Sequence, residues 1–287
     1  MSRIAYVNGA YQRHSEAAVH IEDRGFQFAD GVYEVCEIRH GFIIDLTRHL
    51  DRLDRSLREL RMAWPMTRAA LIHVIREVAR RNRVKNGLFY LQVTRGAARR
   101  DHVFPVADTP STIVVTAKRT DASVIAKKNA AGISTITVPE NRWDRVDIKS
   151  VGLLPNVLAR QAAKEEGAQE AIFVDADGTV KEGAATNVWI VDKAGRLRTR
   201  HADHGILRGI TRTTLKDVTG TLGLEIVEQA FSLEEMLEAR EVFITAATSI
   251  CFPVVAVNGK TIANGHPGSV SQKIREAFFD IAEKTAI

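Results

Sequence analysis

The sequence has 287 residues, 45% of them hydrophobic and 26% charged, a composition that excludes a disordered or fibrous chain and is long enough for two domains. Forty basic and 35 acidic residues give a net charge of +5, which suits an enzyme with anionic ligands and equally a weak binder of nucleic acid. The two cysteines, Cys36 and Cys251, are too few for a disulfide framework.

No segment of the sequence predicts secretion or membrane insertion. The first nine residues lack the apolar core of a signal peptide. The most apolar tract, residues 242–257, contains Thr, Ser and Pro253, which favours paired strands over a membrane span. We therefore expect a cytoplasmic protein without a membrane partner.

Residues 1–118 predict a small N-terminal α/β domain. Asn8-Gly9 and His40-Gly41 supply the turn residues of two hairpins. Between the hairpins, residues 23–31 combine turn formers with aromatic residues, which predicts an ordered loop. Further strands are expected near residues 88–94 and 112–117.

Two amphipathic helices are predicted in the same domain. The first buries leucines that recur every three or four residues, namely Leu46, Leu50, Leu53, Leu57 and Leu60. Its opposite face carries arginines of the kind that usually lie in solvent, namely Arg48, Arg52, Arg55, Arg58 and Arg61. The second helix follows Pro65 and runs from about residue 67 to residue 83.

The polar stretch 118–128 lacks strong periodicity and predicts an interdomain linker, which we place at residues 119–124. Residues 125–287 then predict a larger α/β domain, with strands at 133–138, 171–174 and 188–191 and helices at 211–222, 232–239 and 269–284. Asp175-Ala-Asp-Gly178 is interpreted as a hairpin turn, since no glutamate completes a calcium loop. The fold class expected is α+β in two domains.

One lysine stands in a setting that can change its chemistry. Lys149 lies between Ile148 and Ser150, just before an apolar run from Leu153 to Ala162 whose spacing predicts a helix with one buried face. Burial lowers the pKa of an amine and frees it to attack a carbonyl. These residues alone favour a lysine that buries its stem and keeps its charge in water.

Two further segments could bind polar groups of a ligand. Glu182 precedes Gly183 and a small-residue turn, where a carboxylate could bind a protonated heteroaromatic nitrogen, or could simply be an exposed turn glutamate. Gly209 precedes Ile210, Thr211 and a helix, which makes either an anion cradle of backbone amides or a plain helix cap.

Two other segments also have side chains that could bind a ligand. Residues 245–249 end a strand with small and hydroxyl-bearing side chains, a pattern that an ordinary strand end also shows. Residues 93–102 form a loop with clustered cations, which either faces solvent or binds carboxylates.

Taken together, these segments resemble the fold-type IV pyridoxal-phosphate transaminases, and within them the D-amino-acid transaminases. The resemblance runs along essentially the whole chain and rests on motifs in a fixed order, which are Asp23-Arg-Gly, Phe28-Ala-Asp-Gly-Val-Tyr-Glu-Val35, His49-Leu-Asp-Arg-Leu53, Val93-Thr-Arg-Gly96, Asp147-Ile-Lys-Ser150, Glu182-Gly183, Thr186-Asn-Val188 and Gly209-Ile-Thr-Arg212. It implies a two-domain architecture with the cofactor at the domain interface.

The resemblance also assigns roles. It implies that Lys149 is the Schiff-base lysine and proton carrier, and that Glu182 binds the pyridine nitrogen of pyridoxal 5'-phosphate. Arg52, Ile210, Thr211, Ala247 and Thr248 fall where the family binds the phosphate. Ala246 and Ala247 depart from the usual hydroxyl-rich run, which leaves only a backbone amide at Ala247.

For the substrate, the resemblance implies a carboxylate trap made of Tyr33, Arg100 and His102, with the last two supplied by the neighbouring subunit of a homodimer. Arg99 is adjacent to Arg100 and competes for the role. The expected activity is a ping-pong transfer of the amino group between a D-amino acid and a 2-oxo acid such as pyruvate or 2-oxoglutarate. No metal and no nucleic acid are expected.

Several rivals remain open within and outside the family. Branched-chain transaminases usually have a tyrosine five residues after the lysine, where this chain has Leu154, and (R)-amine transaminases generally lack the Arg-x-His pair that stands here as Arg100 and His102. Aminodeoxychorismate lyases share the lysine and glutamate but eliminate pyruvate. A basic nucleic-acid-binding protein is the alternative from another class, although no recognition motif accompanies the basic residues.

Overall fold

The computed structural model describes residues 3–287, which fold as two compact units. The first unit comprises the described residues as far as Asp121 together with Ile148–Gly152 and Glu283–Ile287. The second comprises Ala122–Asp147 and Leu153–Ala282. The two short segments depart from the predicted ranges 1–118 and 125–287, because strand pairing draws them to the first unit.

The described residues form helices and strands that are named here in chain order. The helices are α1 (Arg24–Phe28), α2 (Leu46–Glu59), α3 (Arg68–Arg81), α4 (Ala122–Ala131), α5 (Leu154–Glu165), α6 (Ile210–Thr221), α7 (Leu233–Leu237) and α8 (Ser269–Ile281). The strands are β1 (Ile4–Val7), β2 (Ala10–Arg13), β3 (Gly31–Arg39), β4 (Phe42–Ile44), β5 (Gly87–Thr94), β6 (Thr112–Arg119), β7 (Ile133–Pro139), β8 (Glu170–Val174), β9 (Val180–Gly183), β10 (Asn187–Val191), β11 (Leu197–Thr199), β12 (Ile226–Glu228), β13 (Glu241–Ala246), β14 (Ser249–Val257), β15 (Lys260–Thr261) and β16 (Lys284–Ala286).

The first unit is built on an antiparallel sheet in the order β16-β4-β3-β5-β6-β1-β2. Both predicted hairpins are confirmed, since Asn8-Gly9 and His40-Gly41 adopt the positive φ angles that their turns require. Helices α2 and α3 pack on the sheet with the predicted apolar faces inward. This packing makes the first hydrophobic core.

One element of the first unit was not predicted. Residues 24–28 form the short helix α1 where the sequence predicted a loop. Asp23 caps the helix by accepting a hydrogen bond from the amide of Gly25, and Ala29 ends it in the left-handed region with φ of 56°. Asp23 is one of the turn formers that predicted a loop, and it acts here as the helix cap.

The second unit has a mixed sheet in the order β12-β11-β10-β13-β14-β7-β8-β9, with β15 paired to β14. Three of its pairings, β11 with β12, β14 with β7 and β7 with β8, are parallel. The tract 242–257 forms the antiparallel pair β13 and β14, and Asp175–Gly178 turns between β8 and β9, as predicted. Mixed helices and sheets in both units confirm the α+β class.

Two predictions about the second unit differ from the structure. The expected linker at 119–124 is mostly regular, because β6 continues to Arg119 and α4 begins at Ala122. Helix α5 exposes Leu154, Val157 and Leu158 and buries small alanines instead, so the predicted apolar face is wrong. The alanine face packs on β8, where small side chains allow helix and strand to approach closely.

Among residues 3–287, no helix combines the length and the apolar character needed to cross a bilayer.

Candidate active site

Lys149 belongs to the first unit and lies along the beginning of β3. Its carbonyl accepts a hydrogen bond from the amide of Tyr33 at 3.0 Å, and its own amide donates to Ser56 Oγ at 3.3 Å. Ser150 bridges to Val32, and Ile148 is buried in the core. The backbone of the lysine is therefore fixed by strand-like pairing with β3 and by the side chain of Ser56.

The amine of Lys149 is held close to an aromatic ring. Its Nζ lies 4.1 Å from the centroid of the Tyr33 ring, and in the described part of the chain no hydrogen bond or ion pair engages it. The Tyr33 ring stacks on Tyr90 with centroids 5.8 Å apart. An amine without a carboxylate partner is available for reaction with a carbonyl once it loses its proton.

Arg52 lies in a buried ion cluster rather than on a solvated helix face. Its Nε and Nη2 each donate to one oxygen of Glu34, at 2.8 Å. His49, one turn earlier on α2, contacts the same carboxylate through Nδ1 at 2.7 Å. The bidentate pairing fixes the plane of the guanidinium.

The charges of this cluster follow from burial and pairing. Burial alone would raise the pKa of Glu34, but the charge and hydrogen bonds of Arg52, with those of His49, lower it to about 2. Burial lowers the pKa of His49, although Glu34 opposes this. At neutral pH, Glu34 and Arg52 therefore form a charged pair beside a histidine biased towards its neutral form.

The basic loop after β5 carries the predicted carboxylate ligands. Arg100 and His102 are exposed and both lie against the ring of Phe28, on α1. Arg99 is also exposed, and within residues 3–287 it has no ion-pair or ring partner. No hydrogen bond or ring contact joins Tyr33 to Arg100 or His102 within the described chain.

In the second unit, Glu182 on β9 is buried and surrounded by donors, so it is not the exposed turn residue that the sequence left open. Arg142 Nη1 donates to Oε1 at 2.7 Å, and Asn187 Nδ2 donates to Oε2 at 3.1 Å. The amide of Leu207 lies 3.1 Å from both oxygens. Burial raises the pKa of Glu182, while the charge and hydrogen bond of Arg142 oppose that effect.

Arg142 was missed by the sequence reasoning, although it opens the stretch that leads to Lys149. Its guanidinium also binds Glu140 through Nε, at 2.9 Å, and through Nη2, at 2.6 Å. Its plane lies over the ring of Phe173, 4.3 Å from the centroid. The spacing of Glu140 and Arg142 hints at a local ion pair, but the contact with Glu182 across 40 residues gives no sequence signal.

Asn187 forms hydrogen bonds both to Glu182 and to the segment that precedes α6. Besides Glu182, it donates to the carbonyl of Leu207 at 2.9 Å, and it pairs in register with Thr245 of β13. A Cβ at Gly209 would come within 2.1 Å of Asn187 Oδ1, so the glycine is needed for this close approach. Gly209 therefore makes room for the side chain of Asn187.

The start of α6 presents uncapped donors. Gly209 is the N-cap and contributes no side-chain bond, and Ile210 and Thr211 follow as buried residues of the first turn. In residues 3–287 the Thr211 hydroxyl makes no hydrogen bond. Amides at a helix start and a hydroxyl beside them are the donors that bind an anion.

Ala247 and Thr248 form the two-residue turn between β13 and β14, where Ala246 pairs with Ser249. The turn follows Thr245, the residue that pairs with Asn187. The Thr245 hydroxyl accepts a bond from Trp189 Nε1 at 3.0 Å, so it serves the core. In the turn, Ala247 contributes only backbone groups, whereas Thr248 adds a side-chain hydroxyl.

Chemically, the first unit supplies an amine beside a tyrosine ring, the buried guanidinium of Arg52, and the exposed loop side chains of Arg100 and His102. The second supplies a buried carboxylate and the donors of a helix start. An amine can bind an aldehyde, a buried carboxylate can bind a protonated ring nitrogen, and helix amides can bind a phosphate.

The sequence is similar to those of known aminotransferases. A D-alanine aminotransferase of Bacillus licheniformis is 40% identical over 271 residues, which are 94% of this chain and 94% of that protein. A D-alanine aminotransferase of Staphylococcus haemolyticus is 36% identical over 273 residues, 95% of each chain.

Solved structures agree on the fold. The branched-chain amino acid aminotransferase of Escherichia coli matches with a TM-score of 0.89 and 25% identity, covering 98% of this chain and 95% of that one. The sequence model of the family described as Amino-transferase class IV matches residues 31–257. The chain therefore belongs to the class IV aminotransferases and has their fold-type IV architecture.

Proposed function

We propose that this protein is a pyridoxal-phosphate-dependent transaminase that moves the amino group of a D-amino acid to a 2-oxo acid such as pyruvate or 2-oxoglutarate. The observation that carries the proposal is its 40% identity, over nearly the full length, to a D-alanine aminotransferase. The reaction follows a ping-pong order, in which the first product leaves before the second substrate binds.

The donor set fits the polar parts of this cofactor. An amine free of ion pairs at Lys149 suits its aldehyde, and the buried carboxylate of Glu182 suits its ring nitrogen. The unpartnered hydroxyl of Thr211 at an uncapped helix start suits its phosphate. When bound, pyridoxal 5'-phosphate supplies an aldehyde that accepts the amino group and a protonated ring that withdraws electrons from the substrate Cα.

The residues of this chain then divide the work. Lys149 would hold the aldehyde of the cofactor, and its amine, when free, would carry the proton at the substrate Cα. Glu182 keeps the ring nitrogen protonated. The phosphate is held by Arg52, by the amides of Ile210 and Thr211 with the threonine hydroxyl, by the amide of Ala247 and by Thr248.

The substrate carboxylate is held by Tyr33, Arg100 and His102, with Arg100 and His102 coming from the second copy of a homodimer. Two observations support this part of the proposal. Tyr33 lacks a contact with either loop residue within one chain, and apolar side chains around the loop, namely Ile21, Phe26, Val103 and Val106, are exposed. Exposed apolar surface of this kind is typical of a face that another chain covers.

A cytoplasmic location is proposed as well. Cys36 and Cys251 are both buried free thiols, a state that the reducing cytosol maintains.

A substrate panel tests the function. D-alanine, L-leucine and (R)-1-phenylethylamine are offered with 2-oxoglutarate, and aminodeoxychorismate is offered alone. We expect D-alanine to have the highest kcat/KM. The second candidate is a branched-chain transaminase, favoured by the structural match to the Escherichia coli enzyme, and L-leucine as the best donor would establish it.

Arg100→Ala is expected to lower kcat/KM for D-alanine by about 10–100-fold, since a charge-assisted hydrogen bond contributes about 1.5–3 kcal/mol. The same variant should leave (R)-1-phenylethylamine unchanged, because that donor has no carboxylate. Arg99→Ala is the matched control and should behave like the unmodified protein. A parallel loss on both donors would remove Arg100 from the carboxylate site.

Mixed dimers decide which subunit supplies Arg100. A Lys149→Ala subunit keeps Arg100, and an Arg100→Ala subunit keeps Lys149, so their heterodimer contains one complete site if the loop acts across the interface. Mixing the two variants under conditions of subunit exchange should then restore D-alanine turnover above the sum of the separate proteins. Activity that stays at that sum means that each chain uses its own loop.

Arg52→Ala is expected to raise the dissociation constant of pyridoxal 5'-phosphate about 10–100-fold through loss of a charged phosphate ligand. Because the change also leaves Glu34 buried without its partner, Arg52→Lys serves as a second variant that keeps the charge. Arg58→Ala removes an exposed arginine paired with Asp54 and should change little. Fluorescence titration of the cofactor measures all three, and equal small effects would reject the phosphate role of Arg52.

A further inference from the structure

The ring of Phe28 lies among three cationic or titratable side chains. The Arg24 guanidinium carbon is 4.8 Å from its centroid, and the Arg100 guanidinium carbon is 5.1 Å from it. The His102 ring centroid is 5.3 Å away. Phe28 thus contacts both loop residues of the proposed carboxylate site, while the neighbouring Arg99 has no such platform.

Arg24 fixes the backbone of the same loop. It is 3% exposed, and its Nη1 donates to the carbonyls of Asp101 and Val103 at 2.6 and 3.3 Å. These two carbonyls flank His102, so one guanidinium nitrogen brackets that residue. The amide of Arg24 also donates to the carbonyl of Gly96, at the base of the loop, at 2.9 Å.

Asp30 connects this bracket to the beginning of the loop. Its carboxylate accepts Nε of Arg24 at 2.8 Å and Nε of Arg95 at 2.7 Å. Arg95 in turn donates to the carbonyl of Leu60 at 2.7 Å and covers the ring of Phe104, with its guanidinium carbon 3.8 Å from the centroid. One partly buried acid therefore anchors the arginines that hold both the start and the far side of the loop.

Exposed arginines have many side-chain conformations, and a group that is ordered before binding loses less conformational entropy in the complex. A guanidinium over the face of an aromatic ring is attracted to it electrostatically, even at an exposed site. The ring of Phe28 and the hydrogen bonds of Arg24 therefore favour a loop that is ordered before a planar anion binds. They order Arg100 and leave Arg99 without a contact of this kind.

We propose that Phe28 and Arg24 are positioning residues for carboxylate recognition, Phe28 as the platform that orders Arg100 and His102, and Arg24 as the clamp of the loop backbone. This inference rests on the proposed function, since it assumes that the loop binds the substrate carboxylate. It explains why the motif residues from Asp23 to Gly31 accompany the basic loop in this sequence.

The first test is kinetic and uses the holoenzyme. Phe28→Leu is expected to raise KM for D-alanine about 3–10-fold, from the loss of two ring contacts, with kcat changed less than about twofold. Single-turnover rates with (R)-1-phenylethylamine should be unchanged. Phe28→Tyr should restore the KM, because it returns the ring. Phe42→Leu, which makes the same substitution at an exposed phenylalanine of β4 outside these contacts, is the control.

The second test reads binding and loop order directly. Calorimetry with propionate, a carboxylate without an amine, should show weaker binding to Phe28→Leu by the same factor. Arg24→Lys keeps the charge but loses the bracket, and it should speed amide hydrogen exchange at residues 101–104. Exchange there that matches the unmodified protein overturns the clamp.

The positioning role of Phe28 is wrong if Phe28→Leu impairs turnover of D-alanine and of (R)-1-phenylethylamine equally. It is also wrong if Phe28→Leu binds propionate as well as the unmodified protein does. Failure of the proposed function gives a different result, because the unmodified enzyme would then neither use D-alanine nor bind propionate. In that case, faster exchange in Arg24→Lys would still support the clamp as a feature of the loop.

Discussion

Lys149→Ala is expected to abolish turnover, with a fall of about 10⁴-fold in the single-turnover rate with D-alanine, the upper range for loss of a positioned acid–base group. The physical reason is the setting of its amine. Nζ lies over the Tyr33 ring, and in the described residues no ion pair or hydrogen bond holds it away from a bound substrate. Rapid-mixing absorbance measurements follow the half-reaction.

The same variant should still bind the cofactor through its phosphate, and gel filtration followed by absorbance would detect the retained molecule. Added ethylamine serves as a control for the missing amine and should restore part of the proton-transfer rate without restoring the covalent attachment. Near-normal turnover of Lys149→Ala without added amine would end the assignment of this lysine.

Glu182→Gln is expected to slow the half-reaction by about 10²–10³-fold, while the dissociation constant of the cofactor changes less than about tenfold. The substitution keeps the shape of the side chain and removes a buried negative charge, which acts strongly in a site screened from water. A neutral amide cannot hold the ring nitrogen in its protonated form, so the cofactor would withdraw electrons less well.

Glu140→Gln is the matched control for this prediction. Glu140 binds the other side of Arg142 but does not contact Glu182 through any of the hydrogen bonds of that group. Its removal alters the local charge and leaves the carboxylate of Glu182 in place, so a smaller rate effect is expected. If Glu182→Gln weakened cofactor binding alone, with an unchanged half-reaction, the electron-withdrawing role would be wrong.

The elements with strong periodicity were predictable. The leucines of α2 recur every three or four residues and lie in the core as expected, and the two hairpins follow from Asn8-Gly9 and His40-Gly41. Helix α5 shows the limit of this reasoning. An apolar stripe at helical spacing predicts burial, but the packing partner β8 accommodates only the alanine face.

The roles of the candidate site residues come from the resemblance to a family, because residue type alone favoured a solvated amine for Lys149. The partners of those residues were not predictable, because each depends on contacts distant in sequence. Glu34 pairs with Arg52 across 18 residues, and Arg142 reaches Glu182 across 40. Arginines that share a helix face look alike in sequence, and only the strand opposite determines which of them is buried.

The pairing of β16 with β4 affects how the chain folds during its synthesis. Asp45 accepts the amide of Glu283 and donates its own amide to the Glu283 carbonyl, so the edge of the first sheet is completed by residues near the end of the sequence. At about 5–20 residues per second, a ribosome needs roughly 10–50 seconds to travel from β4 to β16. During that interval the β4 edge is open to other chains. Translation speed and chaperone supply should therefore influence the yield of this enzyme, and removal of the last five residues should lower it further.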